Sequence, residues 1–443
     1  MYDLLISGGT IVNHDGIQKG DIGIINGKIA DIGALEGKKA DKTLKADNLH
    51  VLPGVIDTQV HFREPGLTHK EDLESGSRAA VMGGVTAVFE MPNTNPSTTT
   101  VEAIADKVAR GRNRMFCDFA FYAGASTDNL NQLAELERAE GVAGIKVFMG
   151  SSTGSLLVAE SEELEQLFQT ITRRAAFHSE DEERLKQRIG EQVMGDAASH
   201  VVWRDDQTAI NSTKRLLKLA RKHARRIHVL HITTAEEMAL LADYKDLVSV
   251  EVTPQHLTLA APDAYERLGT LAQMNPPIRS QKHQDGLWEG LRAGTVDVIG
   301  SDHAPHTLKE KQNTYPSSPA GLPGVQTLVP LMLDHVSKGR LSLQRFVDLT
   351  SAGPNRLFGI AGKGRLARGY DADITLVDMQ ATKTITNEWM ESRCGWTPFD
   401  GHQVTGWPVG TIVRGHQVMR DGEIITPATG QPIRFQETIE AAN

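Results

Sequence analysis

The seventeen residues His50–Gly66, HVLPGVIDTQVHFREPG, decide the fold. They run apolar through LHVLPGVI and then turn polar at Asp57, Gln59, His61, Arg63 and Glu64, as a buried strand does where its end opens into an active-site loop. Alternate side chains of a strand share a face, so Gln59 and His61 point the same way. A metal-binding strand would be expected to carry a histidine at both positions; here glutamine occupies the first.

The same texture recurs downstream. GVTAVFEMP, MFCDFAFYAG, VAGIKVFMG, AAFHSE, IHVLHIT, LVSVEVTP and VDVIGSDH are further strand-like runs, separated by helix-like segments. In one of these, Leu164, Leu167, Phe168 and Ile171 fall at the spacing of an amphipathic stripe. Eight strands alternating with helices predict a (β/α)8 TIM barrel over residues 53–360. The flanking segments, 1–52 and 361–443, instead alternate and turn at glycines, and predict one small β-sandwich domain assembled from both termini.

Composition narrows the function. With 47 basic and 56 acidic residues the formal charge is -9, and no basic block points to nucleic acid or an anionic membrane. The basic run Arg215–Arg226 lacks interleaved aromatics for base stacking and reads, with His223 and His228 beside it, as a solvated helix end. No window approaches the ~18 apolar residues of a membrane span, and the N-terminus has no targeting pattern. Cys117 and Cys394 make no metal or redox pair by spacing, which fits a reducing, cytoplasmic setting. The expected partner is a small molecule.

Catalytic residues of such barrels gather where strands end. His61, Asn93, His178, His231 and Asp302 all stand at such ends, and TAEE at Thr234–Glu237 has capping-box spacing for a helix opening just beyond His231. Singly, a strand-end histidine is an ordinary structural residue, and Asp302 could cap a helix. Lys146 is different, because GIKVFMG puts an ammonium inside a buried strand, where it needs a partner or a modification. Three histidines, an aspartate and a buried lysine on one rim predict a metal site, with zinc the best match and manganese, iron or cobalt as alternatives. His256 could touch substrate or serve the structure. YPSSPAGLPGVQ, by its Pro and Gly content and its position, is a candidate substrate-contacting loop.

VHFREPG, MPNTNP, GIKVFMG, NPPIR from Asn275 and SDHAPHT together make the chain resemble the cyclic amidohydrolases, and within them the lysine-bearing branch of the dihydroorotases, over almost its whole length. The resemblance implies a zinc enzyme with one or two ions per subunit, Lys146 carboxylated by carbon dioxide and bridging them. His178 and His231 would hold one ion, His61 and Asp302 the other, with Gln59 where many relatives have histidine. It further implies Asp302 as the proton carrier in opening the cyclic amide of dihydroorotate, a step of pyrimidine synthesis that runs in reverse in the cell. Arg63, Asn93 and His306 would grip the substrate's carboxylate, and Asn275 the ring. Arg63 carries most of the substrate assignment, since allantoinases and hydantoinases share the metal residues but differ in that loop. Two alternatives stand beside this reading: an allantoinase or dihydropyrimidinase-type cyclic amidase, and an inactive homologue serving a transcarbamoylase as a structural partner. A homo-oligomer, dimer or tetramer, is expected.

Overall fold

The computed structural model describes residues 1–151 and 156–439; residues 152–155 of the expected barrel and 440–443 of the expected β-domain lie outside the described residues. All eight barrel strands form: β1 (Val55–Val60), β2 (Val85–Glu90), β3 (Asp118–Gly124), β4 (Val142–Phe148), β5 (Ala175–His178), β6 (Ile227–Val229), β7 (Val248–Val252) and β8 (Val298–Ile299). They pair in chain order, each parallel to the next, and every residue in them is buried. Burial on both faces is what the near-continuous apolar runs foretold. The ring closes through a bridge between Val60 and His303, where the His61 N–H donates to the His303 carbonyl at 2.7 Å. Asp57 ties the same seam by accepting from the Ser301 N–H at 2.9 Å.

Helices cover the barrel as their stripes require. Ser161–Thr170 buries Leu164, Leu167 and Phe168. Ala235–Ala242 opens on the expected capping box, the Thr234 side chain accepting from the Glu237 N–H at 3.0 Å. One reading needs correction. The helix Asp206–His223 stops at Ala224, whose backbone is left-handed, so His228 falls within β6. It is fully buried, held by Ser249 Oγ at 2.8 Å and Glu251 Oε2 at 3.3 Å, and does not flank a solvated helix end. Among the described residues no helix is long and apolar enough to cross a membrane.

Both termini build one nine-stranded sheet, as expected. Its seam is the strand His50–Pro53, parallel to Thr10–Ile11 and antiparallel to the start of Ile374–Thr384. Leu4, Ile22, Ile29, Val51, Ile374 and Ile412 are among its core residues. The opening stretch therefore serves two sheets. Gly54 separates them, and a Cβ there would run into the Thr86 hydroxyl.

Two later segments leave this sheet for the barrel. The Trp396 indole N–H donates to the His306 carbonyl at 2.8 Å, while Ile433 N–H donates to the Phe119 carbonyl at 2.7 Å at the opposite end. There Phe358 and Phe435 pack edge-on against Phe89, at 5.2 and 5.9 Å between ring centres, filling the floor of the barrel.

Lys363 joins the two domains. Fully buried, it meets Asp118 at 2.6 Å, Asp373 at 2.5 Å and Asp371 at 3.1 Å. Removing one partner from a buried ion cluster typically costs about 3–5 kcal/mol, and Lys363→Met should lose about that much in urea unfolding at neutral pH. The stranded carboxylates would bind protons more tightly folded than unfolded, so stability should recover as pH falls toward the ordinary aspartate value of about 3.9. A loss that does not change with pH would contradict this account.

Candidate active site

A cavity of about 20 Å³ sits at the C-terminal ends of the strands. Gln59, His61 and Arg63 reach it from the end of β1, Lys146 and Phe148 from β4, His178 from β5, His231 from beyond β6 and Asp302 from beyond β8; Asn275, Ala304, Ala320 and Gly321 complete the wall. The sequence-predicted residues are thus brought together, except that Asn93 and His306 stand just behind the lining. Three of the lining residues turn the chain at the rim with positive φ: Arg63 at 64°, His231 at 37° and Asp302 at 45°. For non-glycine residues this costs on the order of 1–3 kcal/mol each, a cost that the surrounding hydrogen bonds offset.

Ring protons can be placed from their partners. The Glu180 carboxylate, 2.8 Å from His178 Nε2, only accepts, so His178 carries its proton there and turns the Nδ1 lone pair inward, 3.0 Å from His231 Nε2. Against its burial, Arg204 and His178 hold Glu180 down at about 2, which keeps it an acceptor. On the other side, His61 Nδ1 faces Asn93 Oδ1 at 2.8 Å. That leaves the Nε2 lone pair 3.3 Å from Asp302 Oδ1. Burial lowers His61 and His231 well below the usual histidine value and pushes the Asp302 carboxyl up to about 7. His178 Nδ1 and His231 Nε2 on one side, and His61 Nε2 and Asp302 Oδ1 on the other, therefore face each other across short gaps, as pairs of atoms that a cation could share. Among the described residues no three His, Cys, Asp or Glu side chains converge on one point; each pair lacks a third ligand.

Lys146 is the common neighbour, its charge acting on His61, His178, His231 and Asp302 alike. It lies 4.4 Å above the Phe148 ring and, among the described residues, its Nζ makes no hydrogen bond or ion pair. Burial lowers its pKa to about 7 against the pull of Asp302 and Glu251, so much of it is a neutral amine near pH 7. A neutral amine can take up carbon dioxide, and the carbamate oxygens would supply the ligand that both pairs lack. The donor set fits the implied metal.

Gln59 is spoken for. Its Nε2 donates to Asp302 Oδ1 at 2.8 Å, and Oε1 is buried without a partner. Asp302 Oδ1 is thus engaged, while Oδ2 has no hydrogen bond among the described residues.

Arg63 is 3 % exposed and, among the described residues, has no carboxylate within 4.0 Å. Its Nε donates to the Pro305 carbonyl at 3.1 Å and its Nη2 lies 3.3 Å from His306 Nε2. Burial draws it down to about 10, so it stays charged at neutral pH. A buried guanidinium that makes no ion pair among the described residues, at the edge of a cavity, has donors with which it could receive a carboxylate. Asn275 lines the same cavity with Oδ1 engaged by His200 Nε2 at 2.9 Å. His256 has both ring nitrogens in use, on Thr253 Oγ1 and the Pro276 carbonyl, and so holds the Asn275 loop. Ala320 and Gly321 place part of the YPSSPAGLPGVQ loop on the cavity wall.

A larger cleft, about 980 Å³, lies between the β-domain and the start of β3. Its buried charges, Lys363 with Asp118 and Asp371, satisfy one another.

Sequence reading missed Lys70, Glu180, His200 and Arg204, which orient the ligating and binding side chains from behind. Only Glu180 left a trace, two positions beyond His178.

The Amidohydrolase family pattern matches residues 50–418. The chain is 35% identical to a dihydroorotase of Methanosarcina mazei over 96% of each chain. It is 33% identical to an L-hydantoinase of Paenarthrobacter aurescens, also over 96% of each. Among solved structures, the L-hydantoinase (dihydropyrimidinase) from Arthrobacter aurescens superposes with a TM-score of 0.93 at 32% identity, covering 98% of this chain and all of that one.

Lys146 tests the fit. Replacing an unpaired buried amine with an apolar chain of similar volume is neutral or stabilising by ~1–4 kcal/mol, so Lys146→Met should melt no lower than the parent. Its metal content, measured by elemental analysis, should collapse. A variant that melts lower yet keeps its metal would show that Lys146 serves the fold alone.

Proposed function

The chain belongs to the amidohydrolase family, and within it we propose that it acts as a dihydroorotase, reversibly hydrolysing the cyclic amide of dihydroorotate to N-carbamoyl-L-aspartate in UMP synthesis. The observation that carries this reading is the buried, unpaired Arg63 beside the candidate metal residues. A ring bearing a carboxylate gives that guanidinium a counter-ion. Hydantoins and other uncharged cyclic amides do not, although likeness to the hydantoinase structures favours a cyclic amidase of that kind as the second reading. Each residue named for the metal is present except the histidine that Gln59 replaces, which leaves little to support an inactive relic.

Zinc, one or two ions per subunit, is the proposed metal, held by His178, His231 and a carboxylated Lys146 on one side and by His61 and Asp302 on the other. When bound, it would polarise the ring amide carbonyl and ease deprotonation of the attacking water. The remaining work falls to the chain. Asn93 fixes the tautomer that turns His61 Nε2 inward, and Glu180 does the same for His178 Nδ1. Asp302 takes the water's proton on its unengaged Oδ2 and returns it to the leaving ring nitrogen. Arg63 holds the carboxylate, and Asn275, with its oxygen engaged by His200, offers its amide N–H groups to the ring. Gln59, donating to Asp302, gives the His61 side a neutral neighbour in place of a ligand. The ion on that side is expected to be the weaker one. A cytoplasmic homo-oligomer accompanies this reading.

Arg63→Met should lower kcat/KM for dihydroorotate by an amount equivalent to ~2–5 kcal/mol, with metal content unchanged. Unchanged kinetics would remove the substrate assignment. Ring opening needs Asp302 ionised and closure needs it protonated; opening should therefore rise, and closure fall, as pH increases through the pKa that Asp302 has in the metal-loaded protein. Parallel trends in the two directions would exclude Asp302 as the proton carrier. Calorimetric titration of metal-free protein with zinc should show one tight and one weaker equivalent, and Gln59→His should strengthen the weaker; two equally tight equivalents in the parent would refute that role for Gln59.

A further inference from the structure

His306 stands behind Arg63 in contact with three groups. Lys70 Nζ lies 3.0 Å from its Nδ1. The Ala320 carbonyl lies 3.1 Å from its Nε2, and Arg63 Nη2 lies 3.3 Å from the same Nε2. A lysine ammonium has donors and no acceptor, and this one is also paired with Glu310 at 3.1 Å. The ring nitrogen facing it must accept, so Nδ1 is bare and the ring proton sits on Nε2. A carbonyl oxygen can only accept, and it takes that proton. Arg63 Nη2 then faces an N–H group it cannot bond.

We propose that Lys70 is a positioning residue: by donating to His306 Nδ1 it fixes the ring in its Nε2–H form, which keeps the outer amine of Arg63 free for the substrate's carboxylate. This rests on the dihydroorotase reading for the identity of the carboxylate, but the tautomer argument stands on the geometry alone. Without Lys70 the ring proton can move to Nδ1. Nε2 then becomes an acceptor 3.3 Å from Arg63 Nη2, ties up the guanidinium internally and releases the Ala320 carbonyl from the loop that walls the cavity. Lys70 thus acts on substrate binding through two other residues, without touching substrate.

Both His306 ring nitrogens are engaged by the protein, Nδ1 as acceptor and Nε2 as donor, and the same Nε2–H lies on the side where Arg63 stands. Glu310, itself held by the Thr307 cap at 3.0 Å through the Thr307 N–H, anchors Lys70 from the other side.

The test compares Lys70→Met with Lys70→Arg, which keeps a charged donor, in the metal-loaded full-length protein. In ligand-free protein, ¹⁵N chemical shifts of His306, assigned with His306→Asn, should report the Nε2–H form in the parent and in Lys70→Arg, and a shift toward the Nδ1–H form in Lys70→Met. Lys70→Met should raise KM for dihydroorotate about tenfold or more while kcat changes less than about twofold, with Lys70→Arg within about threefold of the parent. An unchanged His306 tautomer in Lys70→Met would overturn the proposal, as would an equal loss in both variants. Should the parent fail to open dihydroorotate at all, the functional reading fails, while the tautomer measurement still decides the role of Lys70.

Discussion

A lysine amine closed into the mouth of a parallel barrel, with no hydrogen bond or ion pair among the described residues, sets the terms for everything around it. Burial alone brings Lys146 close to neutrality at physiological pH, and its residual charge bears on four potential ligands at once. The histidines answer by staying neutral, and Asp302 answers by holding its proton more firmly than an exposed aspartate would. Remove the amine and the donor pairs lose the one group that speaks to both. The polar rim is therefore a single electrostatic unit built around β4, with strands on either side contributing pairs that are incomplete by themselves.

Around that unit the protein divides the labour by direction. The side of β5 and β6 is backed by Glu180 and Arg204, which point ring lone pairs inward. The side of β1 and β8 is backed by Lys70, His306 and the Pro305 carbonyl, which present a bare cation. Glu71 links this second side to the terminal domain: it accepts from Ser392 and from the Arg393 N–H, and lies 3.3 Å from His303 Nε2, next to Asp302. The β-domain thereby reaches the rim, through a segment whose Trp396 also braces His306.

Much of this was legible in the sequence because it follows from periodicity and burial. Eight apolar runs separated by amphipathic stripes leave few alternatives to a barrel, and a lysine amid GIKVFMG is conspicuous wherever the strand is placed. Within the run from His50 to Ile56, the Pro53-Gly54 pair marks a break and lies at the boundary drawn between the two domains; that the chain passes there directly from one sheet to the other shows only in the packing of Gly54 against Thr86 and Asp373. His228 was misplaced for a related reason. Its basic neighbours Arg225 and Arg226 belong to a turn, and the left-handed Ala224 that ends the helix has no sequence signature of the glycine kind. The residues behind the site escaped because orientation is a property of pairs distant in sequence: Lys70 and His306 are 236 positions apart, and neither is unusual alone.

The passage from one sheet to the other through Gly54 has a mechanical consequence. The Gly54 N–H donates to the Asp373 carbonyl at 2.7 Å, its own carbonyl accepts from Ser351 Oγ at 3.1 Å, and the strands it joins are fixed on both flanks. One residue anchored in this way acts as a weld between the two sheets, not as a hinge. The frame that the weld holds still also carries the cavity wall at Ala320 and Gly321, which is bonded to the His306 ring nitrogen, to the Gln273 carbonyl at 2.9 Å and, through the neighbouring Pro319 carbonyl, to Lys311 at 2.9 Å. A shift of that wall is therefore passed to the histidine that stands behind Arg63.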